Sequence, residues 1–358
     1  MRLSAGLTRR AVMLGAAGAA SGLGALTGTA RTATAQSAEA FYAGRTMSLI
    51  VPFGPGAYYD IGARLVARHL GEHIPGKPRI IVENQPTAGG IGLANRFAFG
   101  AQNDGSVIGV VQRAVPQYAL INYQSIKFDP LKLAWIGSVS AYANDAYVLL
   151  INTKRGIKTL ADLRNPDVKI KLGSGRAGSA NLIFALVAKN LFNLNYEIVR
   201  GYEGTAPIFL ALRRGEVDGL FADWSAIKVA AADLWRDKAV TALVQFGRKA
   251  RHPDLPDVPT ARELVHDPAE GQFLSFAELP FFIALPVLAP SGVPPERLAA
   301  LQSGFMAMAK DAAFLGDADK MKYAVDPISG DAVREQIADA AKAPADALKK
   351  FKNIIATS

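Results

Sequence analysis

The sequence contains no cysteine, so neither a disulfide framework nor a thiolate metal site is available to it. Charge is sparse as well. Asp, Glu, Lys and Arg make up 20% of the 358 residues against 50% hydrophobic, a balance that excludes an intrinsically disordered chain. There are only four histidines, no G-x-S-x-G nucleophile elbow and no P-loop lysine, which removes the common hydrolase and NTPase signatures. Past residue 35 no apolar run approaches 18 residues, so the rest of the chain lacks a membrane-spanning segment and is expected to be soluble. The charge imbalance is also modest. Forty basic residues against 31 acidic give +9, and without the four arginines of residues 1–35 the balance falls to +5. That excess suits anionic small molecules and lacks the basic stripe of a nucleic-acid binder.

What is present begins with an address. Thr8-Arg9-Arg10-Ala11-Val12-Met13-Leu14 sets a twin arginine before an uncharged stretch running to Ala30, and Ala33-Thr34-Ala35 supplies a small-x-small cleavage site. Residues 1–35 resemble a twin-arginine (Tat) export signal. The stretch is dominated by Ala, Gly, Ser and Thr, whose transfer into a bilayer is weakly favourable, so cleavage near Ala35 is expected over retention as an anchor. A mature chain starting near Gln36 in the periplasm accords with the missing cysteines.

Beyond the leader, short β-branched runs alternate with helical periodicity: 48–53, 61–70, 79–83, 92–99 and 107–111. A second series follows over 146–151, 160–163, 169–172, 179–192, 197–200, 206–214 and 217–221. Such alternation predicts βαβ units, and its restart predicts two lobes of α/β architecture. Pro253, Pro256, Pro259 and Pro268 forbid regular structure between Phe246 and Pro268 and mark an ordered surface excursion. Residues 281–288 read as a further apolar strand, and the chain then continues as amphipathic helices interrupted at Pro344.

Three predicted strand ends open into glycine turns that feed helices: Val51 to Asp60, Pro86 to Gly90, and Gly173 to Asn181. In open α/β sheets ligands sit at the carboxyl ends of strands, where glycine lets backbone N–H groups and a helix N-terminus converge on an anion. Any one such turn can equally serve only to reverse the chain.

The phrases around these turns carry a family resemblance. Val51-Pro52-Phe53-Gly54-Pro55-Gly56 with Asp60, then Val82-Glu83-Asn84-Gln85-Pro86-Thr87-Ala88-Gly89-Gly90, then Asp104-Gly105, Gly173-Ser174, Gly215-Glu216-Val217-Asp218 and Leu255-Pro256-Asp257-Val258-Pro259-Thr260 occur in family order over residues 45–315. The chain resembles the substrate-binding proteins of tripartite tricarboxylate transporters, the Bug receptors. The resemblance implies a two-lobed type II periplasmic binding protein fold, each lobe a mainly parallel sheet flanked by helices, with 45–146 plus 277–358 forming one lobe and 147–276 the other. It implies a monomer without cofactor, not an enzyme, that captures an organic carboxylate and delivers it to the membrane permease subunits of the transporter, with no nucleic-acid partner. The expected contacts are Phe53, Pro55, Gly56, Ala57, Tyr58 and Tyr59 from one lobe and Ser174, Gly175, Arg176, Ala177, Gly178, Ser179 and Asn181 from the other, supported by Gly89, Tyr202 and Asp223. The chain departs from the family at Ala57, where a second glycine is usual, and at Tyr58 and Tyr59, where small residues are usual, so an aliphatic diacid, a tricarboxylate and an aromatic acid all stay open as ligand.

Several residues keep two readings. Arg176 either takes a distal carboxylate or points into solvent. Asp223 either receives a ligand hydroxyl, or orients Ser225, or caps a helix. Trp224 belongs to core or pocket wall, and Arg113 follows a strand end as a further cleft candidate. Gly173 to Gly178 also fits G-x-G-x-x-G, which makes a Tat-exported NAD(P)-dependent oxidoreductase the alternative. Glu197, however, starts the next strand, where a ribose-binding acid belongs at its far end. His69-x-x-Glu72-His73 matches a zinc pattern, yet Gly71 and Pro75-Gly76 break the helix it needs.

Overall fold

The first of two sheets draws on two distant parts of the chain. The computed structural model describes residues 37–56, 58–85, 90–100, 102–123, 126–140, 145–176 and 178–357, so the leader lies outside the described residues. After a short helix α1 (Ala38–Tyr42), β1 (Thr46–Val51) leads into α2 (Tyr58–Leu70), β2 (Arg79–Asn84), α3 (Ile91–Phe99), β3 (Val107–Val110), α4 (Val115–Leu120) and β4 (Ala134–Ser138). Helix α2 buries Gly62, Ala63, Leu65, Val66 and Leu70, one face of a 3.6-residue period, against the sheet.

The chain then crosses to a second sheet. There β5 (Tyr147–Asn152), β6 (Lys171–Gly175), α5 (Ala180–Phe192), β7 (Glu197–Tyr202), α6 (Thr205–Arg214), β8 (Gly219–Asp223), α7 (Trp224–Ala230), α8 (Ala232–Arg236) and β9 (Val240–Phe246) follow in order. Past the proline-rich excursion come α9 (Ala261–Leu264) and α10 (Pro268–Phe282), then β10 (Pro286–Ala289), with which the chain returns to the first sheet, and α11 (Pro295–Met308), α12 (Ala312–Lys320), β11 (Ile328–Ser329), α13 (Gly330–Ala341) and α14 (Ala345–Ala356).

Strand order is β11-β4-β10-β3-β1-β2 in one sheet and β7-β6-β8-β5-β9 in the other. β1, β2 and β3 pair in parallel, as do β6, β7 and β8. β10 runs antiparallel between β3 and β4, and β5 antiparallel between β8 and β9. These two are the strands by which the chain crosses into each sheet from the other. A chain that leaves one sheet at the carboxyl ends of its strands and enters the next at the same level must run down the new sheet against its parallel strands. The crossings lie side by side: Val139 N–H donates to Leu285 O at 3.1 Å, Ala284 N–H to Ser140 O at 2.8 Å, and Leu285 N–H to Ser138 Oγ at 3.1 Å.

Two expectations change. Residues 281–288 divide between the end of α10 and β10, because an apolar run without clear period fits a buried helix as well as a strand. Asp267 accepts from Ala269 N–H and Glu270 N–H and starts that helix with Pro268 in its first turn. Inside the excursion a capping box between Thr260 and Glu263 holds the single turn α9, where prolines alone argued for none. Pro344 stands as the cap before α14, as its ring requires. Among the described residues no helix is long and apolar enough to cross a membrane.

Candidate functional site

Loops at the carboxyl ends of both sheets face each other across a cavity of about 690 Å³. From the first sheet it is lined by Tyr58 and Tyr59 at the start of α2 and by Gln112 and Arg113 just past β3. The second contributes Gly178 and Ser179 before α5 and Asp223 and Ser225 at the junction of β8 and α7. Asp145 in the crossing, Phe281 near the end of α10, and Lys322 and Tyr323 after α12 complete the ring.

The first loop is held from beneath by Asp60. Its buried carboxylate accepts from Gly56 N–H at 2.8 Å, Arg64 Nε at 3.0 Å and Asn84 Nδ2 at 2.7 Å. Burial raises the pKa of Asp60, but the bonds from Arg64, Asn84 and Gly56 outweigh it and hold the carboxyl below its ordinary range. Asn84 Nδ2 also donates to Phe53 O at 2.9 Å, so the loop is tied to β2 as well. This clamp aims an aromatic ladder at the cavity. Phe53 stacks on Tyr59 at 4.6 Å, Tyr59 meets Tyr58 edge-on at 5.5 Å, and Tyr58 stacks on Tyr323 at 4.9 Å. Gly62 makes room for the last ring, since a Cβ there would stand 2.2 Å from the Tyr323 hydroxyl. The Tyr59 hydroxyl accepts from Arg113 N–H at 3.0 Å, tying the ladder to the strand end that carries the arginine.

Opposite, the glycine turn after β6 is shaped for close approach. Gly175 N–H donates to Asn181 Oδ1 at 2.9 Å, and a Cβ on Gly175 would lie 2.9 Å from Ser179 Oγ. Ser179 stands at the N-cap of the 13-residue helix α5 without making a side-chain cap, and its buried Oγ has no hydrogen-bond partner among the described residues. A free hydroxyl beside unpaired helix N–H groups is an arrangement that accepts an anion.

Of the expected contacts, Tyr58, Tyr59, Gly178, Ser179 and Asp223 line the cavity. Phe53, Gly56, Gly175 and Asn181 stand one layer behind, as just described, and Pro55 is exposed beside them. Ser174 is fully buried in β6, and Tyr202 packs on the core under β8. Arg176 pairs with Glu203 on the surface with 73% of its side chain exposed, so its guanidinium serves the outer side of the loop. Ala57, Gly89 and Ala177 lie outside the described residues. Asp145, through its two oxygens, accepts from Ser225 N–H at 2.9 Å and Ser225 Oγ at 2.5 Å, and so orients Ser225 in place of Asp223. Among the described residues no other side chain donates to Asp223, whose carboxylate is met by its own backbone N–H. Burial raises its pKa and the nearby Arg113 opposes that rise. Trp224 is core, its Nε1 donating to Asp254 at 2.9 Å.

Arg113 proves more central than a strand-end position alone argued, with its guanidinium 5.0 Å over the Phe281 ring. Phe281, Tyr323 and Asp145 were not anticipated. Phe281 was read as a strand residue and Tyr323 as helical packing, and only the return of the C-terminal third to the first sheet brings them here.

Neither rival motif assembles. Glu197 pairs with Lys171 at the amino ends of β7 and β6, away from the glycine turn, where a ribose cannot reach it. His69 Nε2 meets Asp317 at 3.1 Å and His73 Nε2 meets Asp311 at 3.3 Å, two separate acids, and no group of metal-ligating side chains occurs among the described residues.

Comparisons with known proteins agree with this geometry. The family model described as tripartite tricarboxylate transporter family receptor matches residues 63–358. A UPF0065 protein from the tcbD-tcbE intergenic region of Pseudomonas sp. (strain P51) is 28% identical over 285 residues, covering 75% of each chain. A ligand-free TctC solute-binding protein from Polaromonas superposes with a TM-score of 0.67 at 18% identity, over 88% of this chain and all of that one. MatC from Rhodopseudomonas palustris with bound malate superposes with a TM-score of 0.53 at 22% identity, over 87% of this chain and 99% of that one. The family match over most of the chain, on a fold of two sheets facing one cavity, makes this chain a member of the tripartite tricarboxylate transporter receptor family.

Proposed function

We propose that the protein is a periplasmic receptor that captures an organic carboxylate between its lobes and delivers it to the membrane permease subunits of a tripartite tricarboxylate type transporter. The observation that carries this reading is the partnerless Ser179 hydroxyl at the N-terminus of α5, set across one cavity from Arg113. A carboxylate bridging these groups touches both lobes at once, and contacts that exist only in the closed form are what drive closure. Malate bound to a relative of the same fold supports the ligand class. Among the described residues no histidine lines the cavity, which favours binding over acid–base chemistry.

The lobes are residues 45–146 plus 277–358 and residues 147–276, and the paired crossings near Val139 and Leu285 are the hinge. The leader directs Tat export and is removed near Ala35, leaving a monomeric receptor. Its apolar rims, Tyr58 at 47% exposure and Val229 at 82%, come from opposite lobes and meet on closure.

A thermal-shift screen with carboxylates, NAD(P)+ and zinc tests the reading. A ligand at 100 times its Kd adds about 2.7 kcal/mol, a shift of several degrees. A shift with a carboxylate alone supports the receptor. A shift with NAD(P)+ or zinc and none with any carboxylate refutes it.

A further inference from the structure

The cavity walls specify more than a carboxylate. One wall is the Tyr59–Tyr58–Tyr323 part of the ladder, backed by Phe53. Facing it, Phe281 packs on Phe184 at 4.7 Å and on Tyr147 at 5.2 Å, and both Phe281 and Phe184 line the cavity. A ligand between the loops therefore has rings on both sides, the setting in which an aromatic ring gains offset and edge-on contacts that an alkyl chain does not.

The charges point the same way. Two cations, Arg113 and Lys322, and two carboxylates, Asp145 and Asp223, line the cavity. Lys322 is turned toward Asp319 at 3.3 Å and is mostly exposed, so it stands at the rim. Asp145 is occupied by Ser225 and by Ala146 N–H at 2.8 Å. Inside the rim the lining thus has one cation, Arg113, and beside the occupied Asp145 a second carboxylate, Asp223. A single ligand carboxylate is met by Arg113 and the Ser179 side of the cavity. A second or third one would find no further cation inside the rim to repay its desolvation. Asp223 in turn calls for a ligand donor, since a half-buried carboxylate without one is penalised.

We infer that the ligand is an aromatic monocarboxylate bearing a hydrogen-bond donor, with Arg113 taking the carboxylate, the tyrosine ladder and Phe281 enclosing the ring, and Asp223 accepting from the donor. The donor is either a hydroxyl or amino group on the ring or the ammonium of an aromatic amino acid, and both share this chemistry. The inference rests on the receptor reading and adds the ligand's class to it.

Isothermal titration of the purified protein with benzoate, 3- and 4-hydroxybenzoate, phenylalanine, 3-phenylpropanoate, cyclohexanecarboxylate, malate and citrate tests it. At least one donor-bearing aromatic acid is expected to bind about tenfold or more tighter than its partner without the donor, benzoate or 3-phenylpropanoate, and tighter than every non-aromatic acid, the margin of one charge-assisted hydrogen bond. Which donor wins tells ring substituent from α-ammonium. Asp223→Asn should shrink that ratio to about threefold or less, and Arg113→Gln should weaken all aromatic acids by about tenfold or more. The Asp223 readout is a ratio of two affinities on one variant, so partial misfolding cancels. Malate or citrate binding tighter than every aromatic acid overturns the inference while the receptor reading stands. No binding by any carboxylate overturns both. An Asp223→Asn ratio equal to the parent's removes Asp223 from the recognition and overturns the donor assignment.

Discussion

Glu278 is a carboxylate placed where a carboxylate is costly. It sits on α10 with 0% exposure, its Oε1 accepting from Gly247 N–H at 2.9 Å. Arg262 of α9 approaches Oε2 to 2.6 Å, yet neither Arg262 Nε nor Glu278 Oε2 completes an aligned hydrogen bond. Burial pushes the pKa up from 4.5 to about 6 against the opposing pull of Arg262 and Gly247. A carboxyl that holds its proton more tightly folded than unfolded loses stability as pH rises through that window. At about 1.4 kcal/mol per unit the ionised form costs the fold about 2 kcal/mol above pH 7, and nothing below pH 4.5. Glu278→Gln keeps the acceptor for Gly247 N–H and removes the ionisation. We expect the variant to match the parent near pH 4.5 and to exceed it by about 2 kcal/mol at pH 7.5, roughly 4 °C in Tm. Urea unfolding of both proteins from pH 4.5 to 7.5 reads the difference. A variant destabilised by about 1 kcal/mol or more at pH 7.5 would refute the reasoning, because the ion pair with Arg262 would then outweigh its desolvation. The position matters beyond stability, for Glu278 joins the end of β9 to the helix that carries Phe281 into the cavity.

Two further predictions concern the loops. Asp60→Asn removes the charge from the clamp under the first turn and turns one of its two acceptor oxygens into a donor. It should cost about 2–3 kcal/mol at neutral pH, with the half-exposed Arg64 contact adding little, and the parent's advantage should shrink progressively as pH falls below 3.8 toward the lowered pKa at which the folded carboxyl protonates. Chemical denaturation at pH 7 and at acid pH reads that decline, and equal stability at pH 7 would count against the clamp. Gly175→Ala puts a Cβ 2.9 Å from Ser179 Oγ and should weaken carboxylate binding about tenfold at a stability cost of about 1 kcal/mol, with Gly175→Val abolishing binding. Calorimetric titration with a bound acid decides it, and unchanged affinity would separate Ser179 from the ligand.

Much of the fold was legible because periodicity is local. Alternation of β-branched runs with amphipathic helices marked the parallel strands, and the glycine turns marked where those strands end. Those loops, read with the family resemblance, led to Tyr58, Tyr59, Gly178, Ser179 and Asp223, which line the cavity. It failed where a residue's neighbours come from elsewhere in the chain. Residues 281–288 are apolar without a clear period, and nothing local distinguishes the end of a buried helix from a strand there. Arg176 carries the charge that a carboxylate calls for, but which way it turns was decided by Glu203 on the neighbouring strand–helix turn.

The sequence by itself determined where the strands and helices form, where the loops that can cradle an anion lie, and which family phrases they carry. These depend on spacing, side-chain shape and backbone freedom within a few residues. Tertiary structure alone decided what faces what. The two entering strands turn antiparallel, and that returns the C-terminal third to the first sheet and brings Phe281 and Tyr323 to Arg113. They meet across gaps of 168 and 210 residues in the chain because burial of apolar faces, which has no memory of sequence distance, fixes their positions.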